Sequence, residues 1–387
     1  MELMNGYKQT ELGLIPEDWL VISIGDALKI RHGKNQNQVL DPNGEYPILG
    51  TGGLMGFAND FLYARPSVLI GRKGTINKPM FLDKPFWTVD TLFYSEINKA
   101  YSEKFLYYKF LQIDWYSYNE ASGVPSLNTK TIESVKITIP INKSEQIRIE
   151  NNLTDADAYI ASLEKLIKKK RKIKQGVIQE LLKPKDGWET KSLGDIGKTF
   201  GGLSGKSKDD FTEGVYPYIP FMNIMLNPII DTEYFDYVNL KSGESQNLAL
   251  KGDLFFNGSS ETPEEVGMCS VLLEDIPNLY LNSFCFGFRI KSDLKINGLY
   301  LSYYFRSEEG RKLFFSMAQG ATRYNLSKSN FNKLKVLIPA IQEQNMIAER
   351  LFDLDSDIKI NEVKLEKAKS IKQGMMQNLL TGKIRLI

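Results

Sequence analysis

Two stretches of this chain repeat apolar residues with the period of a helix-pairing seam. In the first, Ile149, Leu153, Ala156, Ile160, Leu163 and Ile167 are spaced 4, 3, 4, 3 and 4 apart. That is the heptad alternation that lays one apolar stripe along a helix and buries it against another helix. The pattern runs on through Lys170, Lys174, Val177 and Leu181, with two lysines interrupting the apolar run. The second stretch reads Ile347, Leu351, Leu354, Ile358, Asn361, Leu365, Ala368, Lys372, Met375 and Leu379, each 198 positions beyond its counterpart. The spacing predicts two helices of about 40 residues, each roughly 60 Å long. Asn142 with Glu145 three later is suited to cap the first, Pro184 stops it, and Gly382 is placed to end the second. Gly176 and Gly374 lie inside the pattern and cost each helix about 1 kcal/mol against alanine. One seam needs a partner, and the chain supplies it. The two helices are expected to pair antiparallel, with one large non-heptad block at each end of a fixed spacer.

Those blocks repeat one another. Trp19 followed by Gly25 and Asp26 returns as Trp188, Gly194 and Asp195, an offset of 169. Tyr46-Pro47 returns as Tyr216-Pro217, and Val135 to Pro140 is answered by Leu334 to Pro339. The match is tightest in the helices, where Ile173-Lys174-Gln175-Gly176 equals Ile371-Lys372-Gln373-Gly374. The plan is a variable block and a constant one, twice, with the second variable block longer by 198 − 169 = 29 residues. The boundaries fall at 1–142, 143–183, 184–340 and 341–387. Within the variable blocks Leu20, Ile22 and Ile24 alternate as a half-buried strand. Ser67 to Ile70, Asp253 to Phe256 and Phe284 to Phe288 also read as strands, and 103–115 and 297–318 as helices. Short helices start at the N-capping residues Asn128 and Ser327. The fold class is therefore mixed α and β.

Composition removes several classes of function. A single histidine, His32, and two cysteines, Cys269 and Cys285 in apolar surroundings, argue against a metal cluster, a histidine triad or a disulfide framework, and for buried free thiols in a reducing cytosol. There is no run of eighteen apolar residues and no signal-peptide pattern at Met1 to Gly6, so no membrane association and a cytoplasmic protein are expected. Net charge is only +2. Residues 1–142 hold 14 basic and 15 acidic side chains, and residues 184–340 hold 17 and 19. A protein so balanced that grips nucleic acid must do it with local patches or with charge lent by partners. Lys165 to Lys174 is the densest basic run, seven residues in ten, fitting either DNA, an acidic partner or a solvated helix face.

The series Thr10-Glu11-Leu12-Gly13-Leu14-Ile15-Pro16-Glu17-Asp18-Trp19, then Leu69-Ile70-Gly71-Arg72-Lys73-Gly74-Thr75-Ile76, then Ser122-Gly123-Val124-Pro125-Ser126-Leu127-Asn128 before Ile139-Pro140, resembles the specificity subunits of Type I restriction–modification systems. The resemblance covers the whole chain and its order. It implies two target-recognition domains separated by an antiparallel coiled coil in a pseudo-twofold repeat, each domain reading one half of a split site on double-stranded DNA. It implies two modification subunits on the helices and restriction subunits joining them. It implies no catalysis by this chain, with S-adenosylmethionine, magnesium and ATP used only on the partners. A split target needs two readers at a fixed separation, and a rigid rod sets a base-pair gap because DNA rises about 3.4 Å per step.

Contacts are expected from loops. Lys34, Asn35 and Gln36 follow Gly33; asparagine and glutamine pair with adenine and lysine reaches guanine or phosphate. Arg72 and Lys73 sit on a Gly-flanked turn suited to phosphate. Ser126 and Asn128 head a short helix, where capping is the competing role. In the second block Lys206, Ser207 and Lys208 and then Arg323, Tyr324 and Asn325 are the candidates, with Asn257 as the loose counterpart of Arg72. The alternative for each is a solvated loop. Phe200 to Ser207 imitates a phosphate-binding loop but has Phe200 in place of the first glycine. Neither Asn227-Pro228-Ile229 nor Asp41-Pro42-Asn43 completes the signature of amino-methylating enzymes. A coiled-coil scaffold without DNA readout is the rival reading; it explains the helices but not two large blocks with polar loops.

Overall fold

The computed structural model describes residues 6–316 and 324–387. The chain divides into two units. Unit 1 takes residues 1–165 and 363–387, and unit 2 takes 166–362.

Unit 1 opens with the hairpin β1 (Tyr7–Thr10) and β2 (Gly13–Pro16), then β3 (Trp19–Ser23), α1 (Ile24–Ala27) and β4 (Leu28–Arg31). There follow β5 (Tyr46–Gly50), β6 (Gly53–Ala58), β7 (Ser67–Gly71), β8 (Met80–Leu82), β9 (Trp87–Thr88) and β10 (Leu92–Ile97). Then come α2 (Glu103–Gln112), α3 (Thr129–Ser134), β11 (Lys136–Pro140) and the long helix α4 (Lys143–Leu181). One sheet has the order β4-β10-β7-β8 and a second the order β6-β5-β9, in which β5 and β9 are parallel; β11 pairs with β3.

Unit 2 repeats this plan. Its elements are β12 (Glu189–Ser192), α5 (Leu193–Ile196), β13 (Gly197–Gly201), β14 (Tyr216–Ile219), α6 (Phe221–Leu226), β15 (Asp236–Val238), β16 (Leu254–Asn257), β17 (Ser259–Ser260) and β18 (Cys269–Val271). They continue as β19 (Tyr280–Leu281), β20 (Cys285–Ile290), α7 (Gly298–Arg306), α8 (Glu308–Phe315), β21 (Tyr324–Asn325), α9 (Lys328–Lys333), β22 (Lys335–Ile338) and α10 (Ile341–Leu379). The sheets β13-β20-β16-β18 and β15-β14-β19 and the pair β12-β22 match those of unit 1 strand for strand, with β14 and β19 again parallel. Part of the extra length of this block is the connection 220–235 with α6, where unit 1 has only the turn Thr51-Gly52.

Each core draws on both long helices. In unit 1 Trp19, Phe105, Leu106 and Ile139 pack with Ile149 and Leu153 of α4 and with Leu379 and Leu380 at the end of α10. In unit 2 Phe256, Phe288, Tyr300 and Phe331 pack with Leu182 just beyond α4 and with Ile347 and Leu351 of α10. Within each unit the two helices run antiparallel. In unit 1 Asp157 meets Lys372 and Glu164 meets Lys369; in unit 2 Arg171 meets Glu362 and Lys174 meets Asp355. Of the seam positions, Ile149, Leu153, Leu163, Ile167, Ile347, Leu351 and Ile358 are buried, and Ile160, Leu354 and Leu365 half-buried.

Several local expectations change. The expected helix 297–318 is two helices over its described residues, because Ser307 leaves helical geometry and its hydroxyl caps α8 by accepting from the Gly310 N–H; positions 317 and 318 lie outside the described residues. Gly310 packs so tightly that a Cβ there would lie 2.1 Å from the Tyr304 carbonyl oxygen. In β3 it is Trp19 that is buried while Leu20 is 43% exposed, and Ile24 belongs to α1. Glu145 closes no capping box; it is buried and accepts two hydrogen bonds from Arg385, which also grips Asp18. Gly382 does end α10, at φ +73°. Both cysteines are buried and free, and burial pushes the Cys285 thiol up to about 12. Among the described residues no helix is long and apolar enough to cross a membrane.

One buried charge sits at the junction of α2 with the end of α10. Lys109 is 6% exposed and donates to the Leu380 carbonyl oxygen at 2.8 Å and to Thr138 Oγ1 at 3.1 Å. Burial lowers its pKa to about 7. The unfolded chain therefore holds one more proton here between pH 7 and the ordinary lysine range, so stability rises with pH across that window and is lost as pH falls toward 7. Between pH 7 and 8.5 this group should add about 1.5–2 kcal/mol. Denaturant unfolding at the two pH values should show that gain in the parent chain and its loss in Lys109→Met; equal pH dependence in both would exclude a neutral buried lysine.

Candidate nucleic-acid interface

In unit 1 three connections meet at one end of the β4-β10-β7-β8 sheet. The chain leaving β4 passes His32 and Gly33, where a Cβ would lie 2.1 Å from the Val89 carbonyl oxygen, so only glycine fits. The turn after β7 carries Arg72 and Lys73 and closes at Gly74, φ +88°. The third connection descends through 119–128 into α3 and is stitched to the turn: Leu127 N–H donates to the Arg72 carbonyl at 3.0 Å, Gly74 N–H donates to the Pro125 carbonyl at 2.9 Å, and Lys73 bridges Ser126. Asn119 Oδ1 fixes this loop by accepting from Ser126 N–H at 2.9 Å.

These connections border an open cleft of about 230 Å³ lined by His32, Arg72, Lys73, Phe93, Ser126, Leu127, Asn128 and Thr129. Four of the sequence candidates are thus brought together. Their states differ. Lys73 is exposed and has no ion pair among the described residues. Arg72 is held by Asp90 at 2.5 Å. Asn128 is the α3 cap: Oδ1 accepts from Thr131 N–H at 2.8 Å and Nδ2 donates to Glu120 at 2.5 Å. His32, set edge-on to Phe93 with ring centroids 4.9 Å apart, joins the site. The sequence singled it out only as a metal ligand or triad member, both of which its being the single histidine argues against; its place directly after a strand and before an obligatory glycine was the available signal. Lys34, Asn35 and Gln36 lie on the continuing loop, anchored by Lys34 N–H to the Thr88 carbonyl and by Trp87 Nε1–H to the Lys34 carbonyl. Lys34 and Asn35 are exposed, Gln36 half-buried.

Unit 2 builds the same junction. Leu326 N–H donates to the Gly258 carbonyl at 2.9 Å, answering Leu127 and Arg72, and β17 pairs with β21 through Ser259 with Asn325 and Ser260 with Tyr324. Gly202 answers Gly33, with a Cβ only 2.0 Å from the Asn282 carbonyl oxygen. Asn325 is exposed and Tyr324 half-buried at this junction, and Lys328 Nζ reaches the end of β13, 3.4 Å from where a Gly201 Cβ would sit. Lys328 was not singled out in the sequence because it reads as an ordinary first-turn residue of α9. Arg323 lies outside the described residues.

Three second-block candidates are placed in structural roles. Asn257 is fully buried; its Nδ2 donates to the Ser259 and Glu265 carbonyls and its Oδ1 accepts from Met268 N–H, so no polar atom of the side chain is presented outward. The Lys206 side chain is only 4% exposed, donating to Glu244 at 2.6 Å and to the Asn239 carbonyl at 2.8 Å. The Lys206 ammonium holds the Glu244 carboxyl down at about 2. Ser207 caps the single turn Lys208–Phe211 by hydrogen bonding with Asp210. Lys208 is exposed. No group of three or more His, Cys, Asp or Glu side chains among the described residues could hold a metal ion.

Residues 16–175 and 185–370 match the Type I restriction modification DNA specificity domain, once for each repeat. The MjaVIII specificity subunit of a Type I restriction enzyme of Methanocaldococcus jannaschii is 28% identical over 96% of this chain and 94% of the relative. Two solved structures share the fold. The S subunit of the Type-I restriction-modification system of M. genitalium superposes with a TM-score of 0.65 at 17% identity, covering 98% of each chain. A chain from a structure of complex assembly and conformational transition of the type I R-M system gives 0.52 at 11% identity, covering 96% of this chain and 99% of that one.

The cap on α3 makes a separable prediction. Asn128→Ala should cost about 1 kcal/mol in denaturant unfolding, because the Thr131 N–H loses its acceptor and the Glu120 carboxylate loses one of its two donors, keeping the Thr131 hydroxyl. A change near zero would show that the helix start is held by the turn alone.

Proposed function

Because the chain belongs to the Type I restriction–modification DNA specificity family, we propose that it reads a bipartite target on double-stranded DNA, one half-site for each cleft, and directs methylation and cleavage that partner subunits carry out. The observation that carries this reading is the duplicated junction: two units place a strand-end loop, a glycine turn and a capped short helix around the same backbone hydrogen bond, Leu127 to Arg72 in one and Leu326 to Gly258 in the other. In the first cleft Lys73 supplies the exposed charge for phosphate, and His32, Lys34 and Asn35 supply donors and acceptors for base edges. In the second, Asn325 and Lys328 at the junction are the corresponding contacts, and Lys208 is a further exposed cation on the loop that follows Gly202. A scaffold would have no use for two such clefts.

Members of this family work within a larger complex. On this reading two modification subunits sit on the long helices and restriction subunits join them. S-adenosylmethionine, magnesium and ATP are bound by those partners and not by this chain, which catalyses nothing and acts on cellular DNA in the cytoplasm. Exposed apolar residues on the helices, among them Leu166 and Ile173 on α4 and Phe352 and Ile360 on α10 in unit 2, fit a surface covered in that assembly.

Binding of duplex DNA by the assembled complex, followed by anisotropy over a salt series, tests the cleft. Lys73→Ala should weaken binding to all sequences alike and reduce the slope of log affinity against log salt by about 1. Unchanged affinity and slope would remove Lys73, and with it this face of unit 1, from the DNA interface.

A further inference from the structure

The lysines that interrupt the apolar seam have partners. In unit 1 Tyr108 Oη donates to Asp157 Oδ2 at 2.8 Å, Lys372 Nζ meets Asp157 Oδ1 at 2.5 Å, and the same Nζ lies 5.8 Å from the Tyr108 ring centroid. In unit 2 Tyr303 Oη donates to Asp355 Oδ2 at 2.8 Å, Lys174 pairs with Asp355 Oδ1, and its Nζ lies 5.7 Å from the Tyr303 ring centroid. The two clusters are images of each other under the sequence repeat: Asp355 is Asp157 plus 198, and Lys372 is Lys174 plus 198. Each joins three elements of one unit, the recognition-domain helix (α2 or α7), α4 and α10. Beside the second cluster Lys170 pairs with Asp357.

We infer that these clusters, with Lys170–Asp357, fix the register of α4 against α10, and that they are positioning residues for the base-pair gap. The second clause rests on the DNA-reading function proposed above. An apolar heptad seam tolerates a slip of one heptad, because every slipped position still meets another apolar one; a charged pair at a seam position is the device that removes this degeneracy. The alternatives show which pairs discriminate. A seven-residue slip leaves Lys372 opposite Glu150 or Glu164, so that pair alone does not choose. The same slips set Lys174 opposite Ala348 or Glu362, and Lys170 opposite Arg350 or Lys364. Lys170 is therefore repelled in both slipped registers, and Tyr108 and Tyr303 tie the surviving register to the recognition domains.

The test replaces Lys170, Lys174 and Lys372 by leucine in the full chain, which leaves Asn361 as the one polar position of the seam; Asn361→Leu is added to the same variant so that no polar seam residue remains to choose a register. Spin labels at Asn151→Cys and Lys364→Cys, both exposed and both in unit 1, report the register; the native cysteines are buried and stay unlabelled. These positions lie two heptads out of register, so a slip changes their separation by most of the about 10 Å that a heptad rises. The parent should give one distance. The quadruple variant should stay folded, with a melting temperature equal to or above the parent's, and give two or more distances; in the complex it should methylate sites with more than one gap. A single unchanged distance would overturn the register assignment. Mixed distances with one unchanged gap would overturn the link to DNA spacing. Should the quadruple variant fail to fold, Lys174→Asp alone should broaden the distance and Lys174→Asp with Asp355→Lys should restore it; absence of rescue would also refute the assignment.

Discussion

Neither unit can bury its core with one repeat alone. The first recognition domain closes over Ile149 and Leu153 of its own helix and over Leu379 and Leu380 of the other repeat's helix, and the second closes over Leu182, Ile347 and Leu351. Each recognition domain is therefore folded against both long helices, and a helix that failed to pair would expose part of two cores at once. This requirement, burial of an apolar stripe that only the other repeat can cover, is what makes an internal duplication into one protein.

Polar groups then decide what apolar burial leaves open. Apolar contact is non-directional, so the ends of the helices are pinned by hydrogen-bonded side chains. Gln146 Nε2 donates to the Pro140 carbonyl and its Oε1 accepts from Ser102 N–H; Gln344, 198 positions later, does the same with Pro339 and Asn297. Both glutamines are almost fully buried with both ends satisfied, the condition under which a buried amide rigidifies a structure rather than weakening it. The clefts follow a related division: glycines where backbones nearly touch, capping side chains behind them, and exposed cations such as Lys73 left over for a ligand.

The legible part of this molecule was the part with a period. Heptad spacing located both helices, and the repeat of Trp19 to Pro140 in Trp188 to Pro339 announced two alike units. N-capping chemistry located α3 and α9. What failed depended on partners far away in sequence. Lys206 reads as a solvated loop lysine until Glu244 and the Asn239 carbonyl close on it. Asn257 reads as a polar loop residue until the chain from Glu265 to Met268 wraps its amide. The lysines at 170, 174 and 372 looked like breaks in the seam because their carboxylate partners become visible only once the antiparallel register is known. The break at Ser307 was hidden by apolar residues on both sides that keep a helical rhythm through it.

Under the proposed function this chain chooses a split DNA target for partner enzymes. Sequencing of modified bases in the host genome, with the gene intact and with it deleted, tests this most directly. A methylated motif of two short defined halves around an unspecified gap should be present with the gene intact and disappear on deletion. The same motif persisting after deletion, in a host with a working modification subunit, would contradict it.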